Sequence, residues 1–136
     1  SATRGRPVEL FMLNAPLCIP DHPGVVPVTA FAGPGMRHNP ATRYVPARLS
    51  HVPRLLATTF VPDLVLVRTS PPWKGRVSLG LEVNILPAAL ESCRAHGGVV
   101  LAEQDDDLPY TFGDGELALH DLDLLWQPSA GAQAPD

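Results

Sequence analysis

Sixteen prolines stand among 136 residues, and they constrain the fold more than any other feature of the sequence. Each one fixes φ near −65° and removes a backbone donor, so no helix or ladder runs far without a break. They do not form a Pro-x-x-Pro repeat, which excludes a polyproline ligand. Most lie between apolar runs, so the chain reads as short elements joined by stiff loops.

Between the prolines the apolar runs are short and strand-like. Val8, Leu10, Phe11, Met12 and Leu13 form the first run. The second, residues 25–31, contains Pro27, which argues for an edge position or a break there. Residues 43–47 make a third, short candidate. Ser50 has the character of an N-cap before Val52, Leu55 and Leu56, and Pro53 is tolerated in a first turn. Residues 64–69, Leu-Val-Leu-Val-Arg-Thr, form the clearest strand. Near-continuous apolar character suits a central strand covered on both faces. Leu86, Ala89, Leu90 and Cys93 then recur at helical spacing over residues 86–96, with Pro87 in the first turn and Gly97-Gly98 as the stop. Residues 99–102 are a further buried strand, and residues 122–126 a last apolar stretch. Strand, helix, strand with short loops predicts an α/β fold with a mostly parallel open sheet and flanking helices. One compact unit over residues 1–127 is the expectation for this length, with 128–136 as a disordered tail or linker.

Composition narrows the function classes. Hydrophobic residues are 45%, charged residues 18% and the formal net charge −4, without a block of Lys or Arg. That speaks against nucleic acid or an anionic membrane as partner. No run reaches the length of a membrane span and no signal-peptide pattern opens the chain, so the cytoplasm is the expected location. Cys18 and Cys93 lack metal-ligand spacing and read as reduced thiols. The five histidines show no zinc or triad pattern. Asp105-Asp106-Asp107 lacks the ligand order of a calcium loop, and Gly33-Pro34-Gly35 matches no phosphate-binding fingerprint. One loop has the position of a site: Ser70-Pro71-Pro72-Trp73 leaves the carboxyl end of the best strand, where ligands bind in open α/β sheets.

A longer pattern gives that loop a context. Residues 64–67 followed by Ser70-Pro71-Pro72, Gly75 and Ser78-Leu79-Gly80 resemble the acetyl-CoA hydrolase / 4-hydroxybutyrate CoA-transferase family, with its strand, Ser-Pro-Pro-Asp loop, glycine and Ser-Leu-Gly segment. The resemblance continues through Glu103 at the end of residues 100–103, then Leu108-Pro109, Thr111 and Gly113-Asp114, and through residues 120–123. Upstream it includes Tyr44-Val45-Pro46 and residues 49–55. It spans roughly residues 25–126 in one order.

The resemblance implies a NagB/RpiA/CoA-transferase-like fold, of which this chain is an incomplete single domain at the amino-terminal end. It implies acyl-CoA thioesters or carboxylates as substrates, with coenzyme A as a substrate and no covalently bound cofactor. It places the nucleophilic glutamate in a second domain outside this chain, so the partner is a missing C-terminal catalytic domain or a separate subunit, or a second copy in a homo-oligomer. Carried over position by position, the substrate-side residues are Ser70, Pro71, Pro72, Trp73, Gly80, Pro109, Tyr110, Thr111, Phe112 and Gly113, none of them bond-making. The chain departs from the pattern at three places: Trp73-Lys74 stands where the family has Asp and further residues, in a loop one residue shorter, Tyr110 replaces an Arg and Phe112 a His. The exchanges imply a larger, more apolar pocket wall. The alternative is a non-catalytic binding or assembly domain on the same scaffold. A sugar-phosphate isomerase on a related scaffold needs a basic phosphate site, and no convincing set is present.

Overall fold

The structure is a computed structural model and describes residues 5–19 and 21–128. The expected tail at 128–136 therefore lies, beyond Pro128, outside the described residues. Two compact units are described in turn below, with the division between Val52 and Pro53.

The first unit is built on three parallel strands, β1 (Val8–Phe11), β2 (Val25–Thr29) and β3 (Arg43–Tyr44), in the order β1-β2-β3. Val28, Thr29, Ala30 and Met36 are buried within it. Pro27 argued for an edge position or a break, yet β2 is the middle strand and runs unbroken through it. The backbone explains why this is tolerated. The amides of Val8 and Met12 donate to the carbonyls of Gly24 (2.8 Å) and Val28 (3.0 Å), so alternate residues of β2 from Gly24 face β1. Pro27 falls between them and faces the β3 side. There β3 pairs only with Val28 and Thr29, and the missing donor meets no partner strand. The Gly33-Pro34-Gly35 segment is a close-packed turn. The Gly35 amide donates to the Ala15 carbonyl (2.9 Å), and a Cβ at Gly35 would lie 1.8 Å from the Leu17 carbonyl oxygen.

Ser50 does not cap a helix. It sits inside a 3-10 turn, Leu49–His51, whose preceding residue Arg48 makes no side-chain cap. The α-helix α1 (Val52–Thr58) follows directly, with Pro53 in its first turn where the lost donor is free anyway.

The second unit holds the βαβ core. Strands β4 (Leu64–Thr69) and β6 (Val99–Gln104) pair in parallel, Leu64 opposite Val99 through Thr69 opposite Gln104. The helix α2 (Leu86–Ala95) lies between them in sequence and packs on both. A third parallel strand, β8 (Leu124–Trp126), follows β6, giving the order β4-β6-β8. Between these, β5 (Arg76–Ser78) and β7 (Glu116–Ala118) form a small antiparallel pair that the sequence patterns did not indicate. Ala89, Leu90 and Cys93 of α2 are buried, as are Val65, Val67, Val100 and Ala102 of the sheet. The Ser92 hydroxyl donates to the Leu56 carbonyl at 2.7 Å and ties α2 to α1.

Strand β4 corrects one expectation. Among the described residues it is an edge strand, and its residues alternate exposed and buried instead of being covered on both sides. A continuous Leu-Val-Leu-Val run reads alike for a two-sided and a one-sided strand. The described residues supply cover on one face, and Leu64 and Leu66 on the other remain 48% and 58% exposed.

Asp123 fastens β8 to the core. Its Oδ2 accepts from the Val100 amide (2.7 Å) and from Arg94 Nη1 (3.1 Å), while its own amide donates to the Val100 carbonyl (2.9 Å). The Val100 amide, aided by Arg94, holds this carboxyl below its ordinary range against the opposing effect of burial.

Candidate functional site

The loops that leave β4 and β6 meet at the carboxyl ends of these strands, the end at which open parallel sheets bind ligands. The first loop is a hairpin. Ser70 donates its amide to the Ser78 carbonyl (2.8 Å), and its Oγ accepts from the Ser78 amide (3.0 Å). At the tip, Trp73 and Arg76 exchange backbone hydrogen bonds of 2.7 and 3.0 Å. The two residues between them, Lys74 and Gly75, have φ of 49° and 73°, the left-handed pair required by the tight turn that suits twisted strands.

The second loop is locked to the first through Ser78, which is fully buried. Its Oγ accepts from the amides of Thr111 (2.9 Å) and Gly80 (3.1 Å) and lies 2.9 Å from the Thr111 carbonyl oxygen. Thr111 Oγ1 in turn donates to the Gly80 carbonyl at 2.6 Å. Glycine is required at position 80 twice over. Its φ is +63°, and a Cβ there would lie 2.8 Å from Leu108 Cγ. The hydroxyls of Ser70, Ser78 and Thr111 are thus all engaged inside the protein.

These joined loops gather three aromatic rings. Trp73 lies edge-on to Tyr110 (centroids 5.5 Å apart) and to Phe112 (5.9 Å), and Tyr110 and Phe112 are 5.1 Å apart. Such edge-to-face geometry is favourable beyond simple burial. Trp73 is 47% and Phe112 70% exposed, so the cluster is a surface feature and not part of the core. Lys74 Nζ stands 4.4 Å from the Trp73 ring centroid, a cation–π contact.

Glu116 supports the cluster from below. Tyr110 donates its hydroxyl to Oε1 (2.8 Å), the Gly113 amide donates to Oε2 (3.1 Å), and Arg76 Nε is 3.6 Å from Oε1. These partners, Tyr110 foremost, hold the Glu116 carboxyl below its ordinary range. Burial, and then the bond to that carboxylate, push the Tyr110 phenol up. The ring therefore stays neutral near pH 7 and acts as a donor.

Of the residues expected from sequence, Ser70, Gly80 and Thr111 are joined by hydrogen bonds through Ser78, Gly113 and Tyr110 by their bonds to Glu116, and Trp73, Tyr110 and Phe112 by ring contacts. Pro71 is half-buried, and Pro72 and Pro109 are exposed, in the same two loops. Ser78, Glu116, Lys74 and Arg76 were not anticipated as members. A serine between Val77 and Leu79 was the available signal, because a hydroxyl in an apolar run must find partners once buried.

The arrangement is suited to binding. Among the described residues no hydroxyl, thiol or carboxylate of the site is paired with a base as a nucleophile would need, and no group of three or more metal-ligating side chains occurs. No described helix is long and apolar enough to cross a membrane.

No family model matches the sequence, and no curated protein matches it. Solved structures do. RipA from Yersinia pestis superposes with a TM-score of 0.67 at 20% identity, over 76% of this chain and 26% of that one. A variant of RipA gives 0.68 with the same identity and coverage. A 4-hydroxybutyrate CoA-transferase from Porphyromonas gingivalis gives 0.58 at 21% identity, over 76% of this chain and 28% of that one. The chain thus spans about a quarter of the length of each of these proteins. The likeness establishes the fold: this chain has the α/β architecture of part of a CoA-transferase.

Proposed function

We propose that this chain is the substrate-side, amino-terminal portion of a protein that transfers or hydrolyses acyl-CoA thioesters, with the carboxylate nucleophile on polypeptide outside residues 1–136. The observation that carries the reading is the ring cluster of Trp73, Tyr110 and Phe112, presented at the carboxyl ends of two parallel strands above hydroxyls that are already engaged. Such a surface orients a ligand and leaves the covalent chemistry to another group. The likeness to a CoA-transferase fold and the motifs from Ser70 to Gly113 support thioesters as the ligand class. The three rings favour an acyl group larger and more apolar than acetyl.

The test uses the chain as it stands. With Trp126→Phe removing the second tryptophan, Trp73 emission reports binding at the cluster. Benzoyl-CoA is expected to bind about tenfold more tightly than acetyl-CoA, which corresponds to 1.4 kcal/mol, with no release of free CoA thiol. Equal affinity for the two would refute the role of the rings. Turnover of either thioester would show that the nucleophile lies within this chain.

A second reading is a non-catalytic binding or assembly domain on the same scaffold. It is favoured by the lack of a nucleophile–base pair among the described site residues. Adding the remainder of a longer reading frame distinguishes the two: activity restored supports the first, and continued inactivity the second.

A further inference from the structure

Helix α2 is buried at Ala89 and Cys93, and beside these it carries a second stripe. Pro87, Leu90, Glu91 and Arg94 recur along it at helical spacing. That stripe is one wall of a cleft of about 270 Å³. Leu117 of β7, with Asp121 and Leu122 of the connection into β8, forms the other wall, and Val100 of β6 is the floor. Leu90 and Val100 are buried, Leu117 and Leu122 half-buried, and Glu91 and Asp121 exposed. The depth of the cleft is therefore apolar and its charges stand at the rim. Successive residues of a strand point to opposite faces. Strand β7 accordingly gives Glu116 to Tyr110 and the ring cluster, and Leu117 to this cleft.

The rim selects the charge of the occupant. Arg94 is answered by Asp123, whose Oδ2 lies 3.1 Å from its Nη1. Glu91 enters no ion pair among the described residues. Asp121 has only His120, itself exposed, at 3.6 Å. A carboxylate or phosphate is disfavoured there, because the one cation of the cleft is already engaged. A divalent ion is a poor match as well: calcium takes about 6–8 oxygen ligands, and no group of three metal-ligating side chains occurs among the described residues. An ammonium group on an apolar body satisfies both parts, with its charge at the rim and its hydrocarbon on the leucines below. Size excludes a larger occupant. One turn of α-helix, about 10 Å across and 5.4 Å high, fills roughly 420 Å³. Sites for drug-sized molecules run from about 300 to 1,000 Å³, so this cleft suits a molecule smaller than most of those.

We propose that the cleft between α2 and the connection from β7 to β8 binds a small primary amine with an apolar body, its ammonium group paired by Glu91 and Asp121 and its hydrocarbon seated on Leu90, Leu117 and Leu122. None of these residues belongs to the ring cluster, so the proposal stands or falls apart from the thioester reading.

Phenethylamine is the probe, titrated into the isotope-labelled chain while backbone amide resonances are followed by NMR. Phenethyl alcohol, which replaces the ammonium by a hydroxyl, and hydrocinnamate, which reverses the charge, are the comparisons. Saturable shifts at Glu91, Arg94, Leu117 and Leu122 are expected with the amine. The alcohol should bind about tenfold more weakly, and hydrocinnamate should leave these resonances in place. Glu91→Gln and Asp121→Asn should each weaken the amine about threefold, and together about tenfold. Glu82→Gln, at an exposed carboxylate outside the cleft, should not. Both rim carboxylates are exposed, so the amide variants keep the fold, and the same spectra check this. Equal affinity for amine and alcohol, preference for hydrocinnamate, no saturable shift, or insensitivity of the double variant would overturn the proposal. So would shifts confined to Trp73, Tyr110 and Phe112, because the amine would then lie on the ring cluster.

Discussion

Replacing Ser78 by alanine tests whether the two site loops are held by one buried oxygen. Ser78 is 0% exposed and its Oγ accepts from the amides of Gly80 and Thr111, so the variant strands two donors and keeps nearly the same shape. Gly80 is buried, and leaving its amide without a partner costs about 2 kcal/mol. Thr111 is half-buried, and partial hydration reduces its share to about 1 kcal/mol. The expected loss is about 3 kcal/mol, large against a total of about 5–15 kcal/mol for a domain. For a chain of this size it lowers Tm by about 10 °C. Urea unfolding followed by circular dichroism and by tryptophan emission gives the value from a shift in midpoint at constant slope. The partner variant Thr111→Val removes the bond to the Gly80 carbonyl. In the double variant the two losses should fall short of additive by about 1 kcal/mol, because the residues share one network. A loss below about 0.5 kcal/mol for Ser78→Ala, the scale of an ordinary surface change, would refute the reasoning.

Two other outcomes follow from single residues. Thr69 is fully buried, and its hydroxyl has no partner among the described residues, so Thr69→Val should raise stability by about 1 kcal/mol in the same urea assay. The Asp123 carboxyl is held below its ordinary range, so its stabilisation is present above the unfolded value of about 4 and is lost as pH falls through the folded value. Acid titration of thermal stability should therefore show a decline below pH of about 4 that Asp123→Asn flattens.

Legibility in the sequence followed the range of the forces involved. The βαβ core was readable because Leu64 to Thr69, the helical spacing from Leu86 to Cys93, and Val99 to Ala102 each state their own period. Its edge position was not, since Leu64 and Leu66 look the same whether or not another element covers them. Ser50 was misread because a serine just before an apolar helical run looks like an N-cap whether it precedes the helix or sits inside a 3-10 turn leading into it, and backbone geometry alone separates the two. The ring residues Trp73, Tyr110 and Phe112 were named from a resemblance, but their meeting depends on Ser78 joining two loops 33 residues apart. No local pattern encodes such a pairing. The same holds for β5 and β7, three residues each, which exist only because they pair.

Pro27 has a consequence for the states this chain does not occupy. Sliding β3 along β2 by one residue would turn its side chains to the wrong face, but a slide by two preserves every face and is not penalised by hydrophobic pattern. Towards the amino end such a slide would set β3 against Pro27, whose nitrogen has no hydrogen to give. Towards the other end it would set β3 against Phe31, whose amide is already given to Thr29 Oγ1 (3.1 Å) and whose carbonyl accepts from Asn14 (3.0 Å). A strand of only two residues, too short to specify its own alignment, is thereby confined between a residue that cannot donate and one that has already done so.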